Sequence, residues 1–327
     1  MEPVALFSKH LGWLTIDQLG PVASEIGLKA VQLSVRPGGH VEPERAASDL
    51  PRAVRTLRLA GIEVPSVVTA FTDPADELTH RVVGAIADAG IPMYRTGWYR
   101  VPPGAEAERL RVEIDRARAG LAGFAEITRE FGVLACYENH AGAFLGASPW
   151  QLWDLVRDLP PEHIGLEFDL RHAMIEGWYT WQPAFELLLP WVAMVLVKDF
   201  VWQPADRTTA GSHSAAGGPR RGIDPLPGAV PVSVPLGDGV VDFPWLFDRL
   251  ERAGYDGPAA LHLEYEVAGR ELAGTPGSVE GAPRDELTLA ATRAIRADLE
   301  RLQAMLTGAD PDYPAGGGGG RRRSRRP

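Results

Sequence analysis

Ile164-Gly165-Leu166-Glu167-Phe168-Asp169-Leu170-Arg171-His172 carries apolar residues up to a carboxylate and follows it, three residues later, with a histidine. Read as a β-strand, it places Asp169 at its C-terminal tip and His172 in the loop beyond. In a parallel barrel that tip is where chemistry is housed. Val133-Leu134-Ala135-Cys136-Tyr137-Glu138-Asn139-His140 and Ala260-Leu261-His262-Leu263-Glu264-Tyr265-Glu266 end alike, apolar and then abruptly polar. Three such strands point to one shared site.

Outward from this stretch, strand-like runs alternate with helical patterns eight times. The strands are expected at Val4–Ser8, Ala30–Val35, Glu63–Thr69, Ile91–Thr96, Val133–Glu138, Ile164–Asp169, Trp191–Phe200 and Pro258–Tyr265. An open doubly wound sheet rarely keeps strict alternation for so long, so the expected fold is α/β, a closed (β/α)8 barrel in a single domain. Residues 1–310 are taken as that catalytic domain, with 203–235 a Gly-, Pro- and Ser-rich insertion loop after strand seven. It is either a floppy insertion or a lid over the mouth. Residues 311–327, ending in GGGGGRRRSRRP, read as a disordered basic tail.

Alternation of side chains assigns faces. With Asp169 inward, Glu167 is inward too, while Leu166 and Phe168 meet the helices. The same rule turns Cys136, Glu138, His262, Glu264, Glu266 and Lys198 inward. Carboxylates crowded into one mouth repel and need neutralising. A divalent cation does this simply, Mn²⁺ or Mg²⁺ being favoured by an oxygen-rich set and Co²⁺ or Zn²⁺ also being compatible. The other solution is pairing by Lys198, Arg95 and Arg171 without metal.

Composition narrows the classes. An apolar fraction of 45% supplies a full core, and the net charge is -10. Without the five tail arginines the body is more acidic still, at -15, so a specific nucleic-acid partner is not expected. The only cysteine, Cys136, lies within a strand, which suits a reducing cytoplasm. No signal peptide is read at Met1–Ser8, and the most apolar run, Leu187–Val197, is broken by Pro190 and is short of the roughly 20 residues of a membrane span. A soluble protein is expected.

Taken in order, Glu138-Asn139-His140, the Asp169–His172 pair, Val197-Lys198-Asp199-Phe200, Pro235-Leu236-Gly237-Asp238-Gly239 and the Glu264 strand resemble the sugar phosphate isomerase/epimerase family, the xylose-isomerase-like TIM barrels. Arg36-Pro37-Gly38-Gly39-His40 and Tyr94-Arg95-Thr96-Gly97-Trp98-Tyr99-Arg100 extend the likeness over nearly the whole chain. The resemblance implies a metal held by Glu on strand five, Asp on strand six, His on strand seven and Glu on strand eight, with the two glutamates moving protons. Carried over, these are Glu138, Asp169 and Glu264. The departure is at strand seven, where the family's histidine position is Leu196. By parity His262 is a candidate for the missing ligand, though about 6.5 Å lower along the strand than Glu264. His140, His172, Glu167 and water are the other candidates.

Glu138 and Glu264 are therefore the expected catalytic pair. His172, His140, Lys198, Arg95, Trp98, His40 and His10 are candidates for substrate contact, each weighed against a cap, an ion pair or simple exposure. Trp98, Tyr99, Trp178, Tyr179 and Trp181 suit a sugar's apolar face, a plug, or a contact in a homo-oligomer. The expected activity is a metal-dependent isomerase or epimerase of a small sugar, sugar phosphate or related polyol acting through an enediolate. A keto-inositol dehydratase and a metal-free sugar-binding barrel are the alternatives. Endonuclease action on abasic DNA would need a richer histidine set and a basic face.

Overall fold

The computed structural model of the chain describes residues 1–204, 228–272 and 284–310. Eight parallel strands close on themselves in the order β1-β10-β7-β6-β5-β4-β3-β2. They are β1 Val4–Phe7, β2 Ala30–Ser34, β3 Ser66–Val68, β4 Met93–Arg95, β5 Leu134–Glu138, β6 Ile164–Asp169, β7 Val192–Val197 and β10 Ala259–Leu261. The expected closed barrel is the observed one. Outside it lie a hairpin of β8 Asp199–Pro204 with β9 Ala229–Val234, and a short pair, β11 Glu266–Val267 with β12 Arg270–Glu271.

Around the barrel run α1 Ile16–Ile26, α2 Ala46–Leu59, α3 Glu77–Asp88, α4 Ala107–Phe131, α5 Pro149–Val156, α6 Leu170–Gly177, α7 Trp181–Leu188, α8 Phe243–Arg252 and α9 Arg284–Thr307. Local chemistry sets their ends. Thr15 and Gln18 form a capping box at α1. Gly132, at φ 69°, turns the chain out of α4 into β5, a backbone conformation that costs glycine little. The cap of α3 is Asp76, which accepts the Leu78 N–H, and Asp73 holds the turn before it by accepting the Ala75 N–H.

The face assignment holds on the strands. Leu166 and Phe168 join the outer apolar layer, Phe168 packing on Phe185 of α7 with ring centroids 4.8 Å apart. Inside, Ala5, Ala30, Met194, Leu196 and Ala260 form a small plug beneath the mouth.

Three local expectations need correction. His172 is not in a loop: Asp169 caps α6 by accepting the His172 N–H at 2.8 Å, so the histidine sits in a helix's first turn. Strand eight stops at Leu261, and residues 262–264 continue as coil. Glu266 is exposed in β11, not inward, because parity lapses once pairing ends. Within the 203–235 insertion, the two ends form β8 and β9, while 205–227 lie outside the described residues, as does the expected tail, 311–327. Among the described residues no helix is long and apolar enough to cross a membrane.

Candidate functional site at the barrel mouth

The tips of β5 and β6 are stitched by Asn139. Its side-chain NH₂ donates to the Asp169 carbonyl, and its side-chain oxygen accepts the Asp169 N–H, both at 2.8 Å. The tip of β7 is fixed differently. Asp199 points away from the mouth and accepts the backbone N–H groups of Phe200, Gly237, Gly239 and Val241, at 2.8 to 3.1 Å. A Cβ on Gly239 would lie 2.0 Å from an Asp199 oxygen, so only glycine lets that loop close in. With Asp199 so held, Lys198 is turned into the mouth.

Lys198, 3% exposed, gathers the site. Its Nζ lies 2.9 Å from Asp169 Oδ2, 3.1 Å from Glu264 Oε2 and 2.9 Å from His172 Nε2. A lysine ammonium only donates, so His172 Nε2 accepts and the imidazole is neutral. Burial works against the ammonium, but Asp169, Glu264 and Glu138 outweigh it and hold Lys198 above the usual lysine value. Glu138 pairs with Arg95, both nearly inaccessible, and the Arg95 guanidinium lies over the Trp98 ring, 4.2 Å from its centroid. Glu264, with its side chain 20% exposed, also takes Lys9 at 2.8 Å. Burial would raise its carboxyl, yet Lys198 and Lys9 hold it well below the usual carboxylate range. Burial lifts Asp169 to about 6 against the opposing pull of Lys198.

The remaining expected residues fall in two groups. His140 is at the mouth, its ring 4.2 Å from that of His172 and 4.5 Å from that of Trp98, with burial pushing it down to about 4. His262 and His10 lie lower. His262 packs on Phe7 and approaches Gln32 Oε1 at 3.3 Å, while His10 Nε2 accepts the Leu263 N–H at 3.1 Å, so it holds the chain where the strand has ended. His40 rests against the backbone of Leu11 and Leu14, and none of the mouth carboxylates is among the groups acting on it. Of the aromatics, Tyr99 and Trp181 are core, Trp178 and Tyr179 sit together on the outer rim, and Trp98 alone of the five joins the ring contacts of the mouth histidines described here.

Sequence reasoning passed over Lys9, Arg36, Asn139 and Glu167's partners. Lys9 follows the apolar run of strand one just as Asn139 follows strand five, so the polar-tip signal was there. Arg36 lies over Phe7, and its charge reaches Arg95, Glu138 and Glu264. Glu167 sits below, accepting from Ser66 at 2.8 Å and Gln32 at 2.9 Å, with burial pushing it up to about 7.

Glu138, Asp169 and His172 each offer a ligand atom within 4.8 Å of the others, so a candidate metal group exists. Its donors are already engaged, however. Lys198 touches Asp169 and His172 at hydrogen-bond distance, and Arg95 takes Glu138. Ions of this class need ligands at about 2.0 to 2.6 Å. An ammonium in the midst of the same donors leaves no such position, and Leu196 offers no ligand in the inner plug. As folded, the residues fit an ammonium and not a divalent ion.

Polar side chains converging at the C-terminal strand tips of a closed barrel are how barrel enzymes arrange their active sites. Residues 21–304 match the model of the xylose isomerase-like TIM barrel family, and the chain belongs to that family. An inosose dehydratase of Lacticaseibacillus casei is 24% identical over 156 residues, 48% of this chain and 49% of that protein, so the match spans about half the curated relative's length. Among solved structures, a D-psicose 3-epimerase with D-fructose superposes with a TM-score of 0.61 at 11% identity, covering 93% of this chain and 99% of the other. A probable 3-DHS dehydratase of Bacillus anthracis gives 0.56 at 15% identity, covering 89% and 97%. At these identities the structures speak for the fold.

Proposed function

We propose that the chain is an isomerase or epimerase of a small polyhydroxy ketone, a ketose or related polyol, which moves a proton next to a carbonyl through an enediolate. The observation that carries this reading is the convergence of Glu138, Asp169, Glu264 and His172 with Lys198 at one barrel mouth. Such a reaction needs a base at the carbon and positive charge near the oxygen. Both are present in one cluster.

Glu264 is the carboxylate open to the mouth, and its ionised form is favoured by two lysines. In this reading it takes the proton from the carbon while the electron pair moves onto the carbonyl oxygen. Glu138, across the cluster, is the second carboxylate that exchanges a proton with the neighbouring carbon or the opposite face. His140 and His172, kept neutral by burial, hydrogen-bond hydroxyls, and Trp98 offers a flat wall. Arg36 adds a cation that suits a substrate with an anionic group. The lone buried cysteine, Cys136, accords with work in a reducing cytoplasm.

The test is solvent exchange. Small ketoses incubated with protein in D₂O should gain deuterium beside the carbonyl, and Glu264→Gln should abolish the gain. Exchange that survives in both Glu264→Gln and Glu138→Gln would remove the proton-transfer reading. The partial match to inosose dehydratases favours a second reading, in which the same proton abstraction is followed by loss of a hydroxyl as water. An unsaturated product from a keto-inositol, with no exchanged ketose, would select it.

A further inference from the structure

We propose that the Lys198 ammonium does in this barrel the work of a divalent ion, polarising the substrate carbonyl and stabilising the enediolate oxygen, so that the site works without metal. This rests on the proton-transfer reading above, but its test does not need that reading to be right.

The geometry is specific. Lys198 Nζ is within 3.1 Å of a carboxylate on β6, a carboxylate beyond β10 and an imidazole on α6. A tethered cation in contact with three donors from three elements stands where an ion bound by them would stand. The charge is balanced as well. Glu138 is paired by Arg95, Asp169 by Lys198, and Glu264 by Lys198 and Lys9, so the repulsion that would recruit an ion is already relieved. The residue two positions earlier on the same face, Leu196, is packed with Ala5, Ala30, Met194 and Ala260, and offers no donor from below.

Lys198 is also well placed to act as the electrophile. The four N–H groups on Asp199 fix the backbone next to it, so the ammonium is aimed before substrate arrives. Preorganised positive charge in a site shielded from water stabilises a developing oxyanion with little reorganisation. In the step itself the C–H bond breaks towards the Glu264 carboxylate, the electron pair becomes the enediolate, and the Lys198 N–H that Glu264 had accepted turns to the enediolate oxygen. The proton then returns to carbon, and nothing is oxidised or reduced.

The experiment is calorimetric titration of purified, chelator-treated protein with Mn²⁺ at neutral pH, on wild type and Lys198→Met, together with elemental analysis of both. The expected result is little metal in the wild type and binding at least about 10-fold tighter in Lys198→Met, which frees the Asp169, Glu264 and His172 donors. Wild-type protein that carries about one ion per chain, or a Lys198→Met variant that binds no tighter than wild type, overturns the proposal. Should Lys198→Met fail to fold, the wild type decides alone: Mn²⁺ binding in the low micromolar range or tighter refutes it, and no heat at about 1 mM upholds it. If no ketose or inosose is turned over, the proton-transfer reading fails while these metal measurements still judge Lys198.

Discussion

The two sides of the barrel mouth are built on different principles. On the β5–β6 side, pairing runs to the rim: Glu138 stands opposite Glu167 in register, and Asn139 ties the next residues to the Asp169 backbone. On the β7–β10 side, strand pairing ends at Val197 and Leu261 with one last backbone bond from the His262 N–H to the Val197 carbonyl, and beyond it the Lys198 and Glu264 side chains are set by ion pairs while Asp199 and His10 accept from the backbone beside them. Strand pairing carries the first side to the rim, whereas on the second side-chain acceptors and ion pairs take over where pairing ends. Equivalent substitutions should therefore have unequal costs.

The largest effect is expected for Arg95→Met. It strands Glu138, 2% exposed, without its cation, and breaking a buried pair costs about 3 to 5 kcal/mol, to be read as a drop in denaturant midpoint. A loss under about 1 kcal/mol would mean that Glu138 is relieved by water or by another cation.

Glu167→Gln sharpens the comparison through pH. Because folding raises this carboxyl from its ordinary value to about 7, the native state holds its proton more tightly than the unfolded chain, so its contribution to stability is present at low pH and lost as pH rises from about 4.5 to 7. The amide should remove that decline and leave the protein more stable above pH 7 by up to about 3 kcal/mol. Identical slopes for wild type and variant across that window would show that Glu167 does not titrate there.

Asn139→Ala leaves the Asp169 N–H and carbonyl buried without their partner, at a cost of about 2 kcal/mol. Hydrogen exchange at the Asp169 amide should rise with it, and unchanged protection would deny the stitch.

The smallest effect is expected for Lys9→Met. Glu264 is partly exposed and keeps Lys198, so the loss should stay below about 1 kcal/mol and shrink further in high salt. A loss as large as that of Arg95→Met would erase the distinction between the two sides.

The same division explains what could be read from the chain. Glu138, Glu167, Asp169 and Leu196 lie on paired strands, where alternation is enforced by the sheet, and their inward facing followed from apolar neighbours that had to meet helices. Beyond Leu261 that enforcement ends, and Glu266, assigned inward by the same rule, is exposed. His172 needed a capping argument in place of a strand argument: an Asp at the end of an apolar run is also a helix N-cap, and its N–H partner three residues on is the histidine. The argument for a metal began from repulsion among carboxylates, which is real, but what relieves it depends on which cations reach them. Lys9 arrives from the turn after β1, over 250 positions away, a proximity no local pattern contains.

Asp199 gives the mouth a fixed hinge post. Three of its four N–H contacts bring Gly237–Val241 back to the start of β8, so the segment between the two is clamped at both ends by one carboxylate and a six-pair ladder. Closing a longer loop on such a clamp costs little, since each doubling of length adds only about 0.6 kcal/mol. A hairpin stem anchored in this way keeps Lys198, one residue before β8, in place whatever length of chain the stem carries.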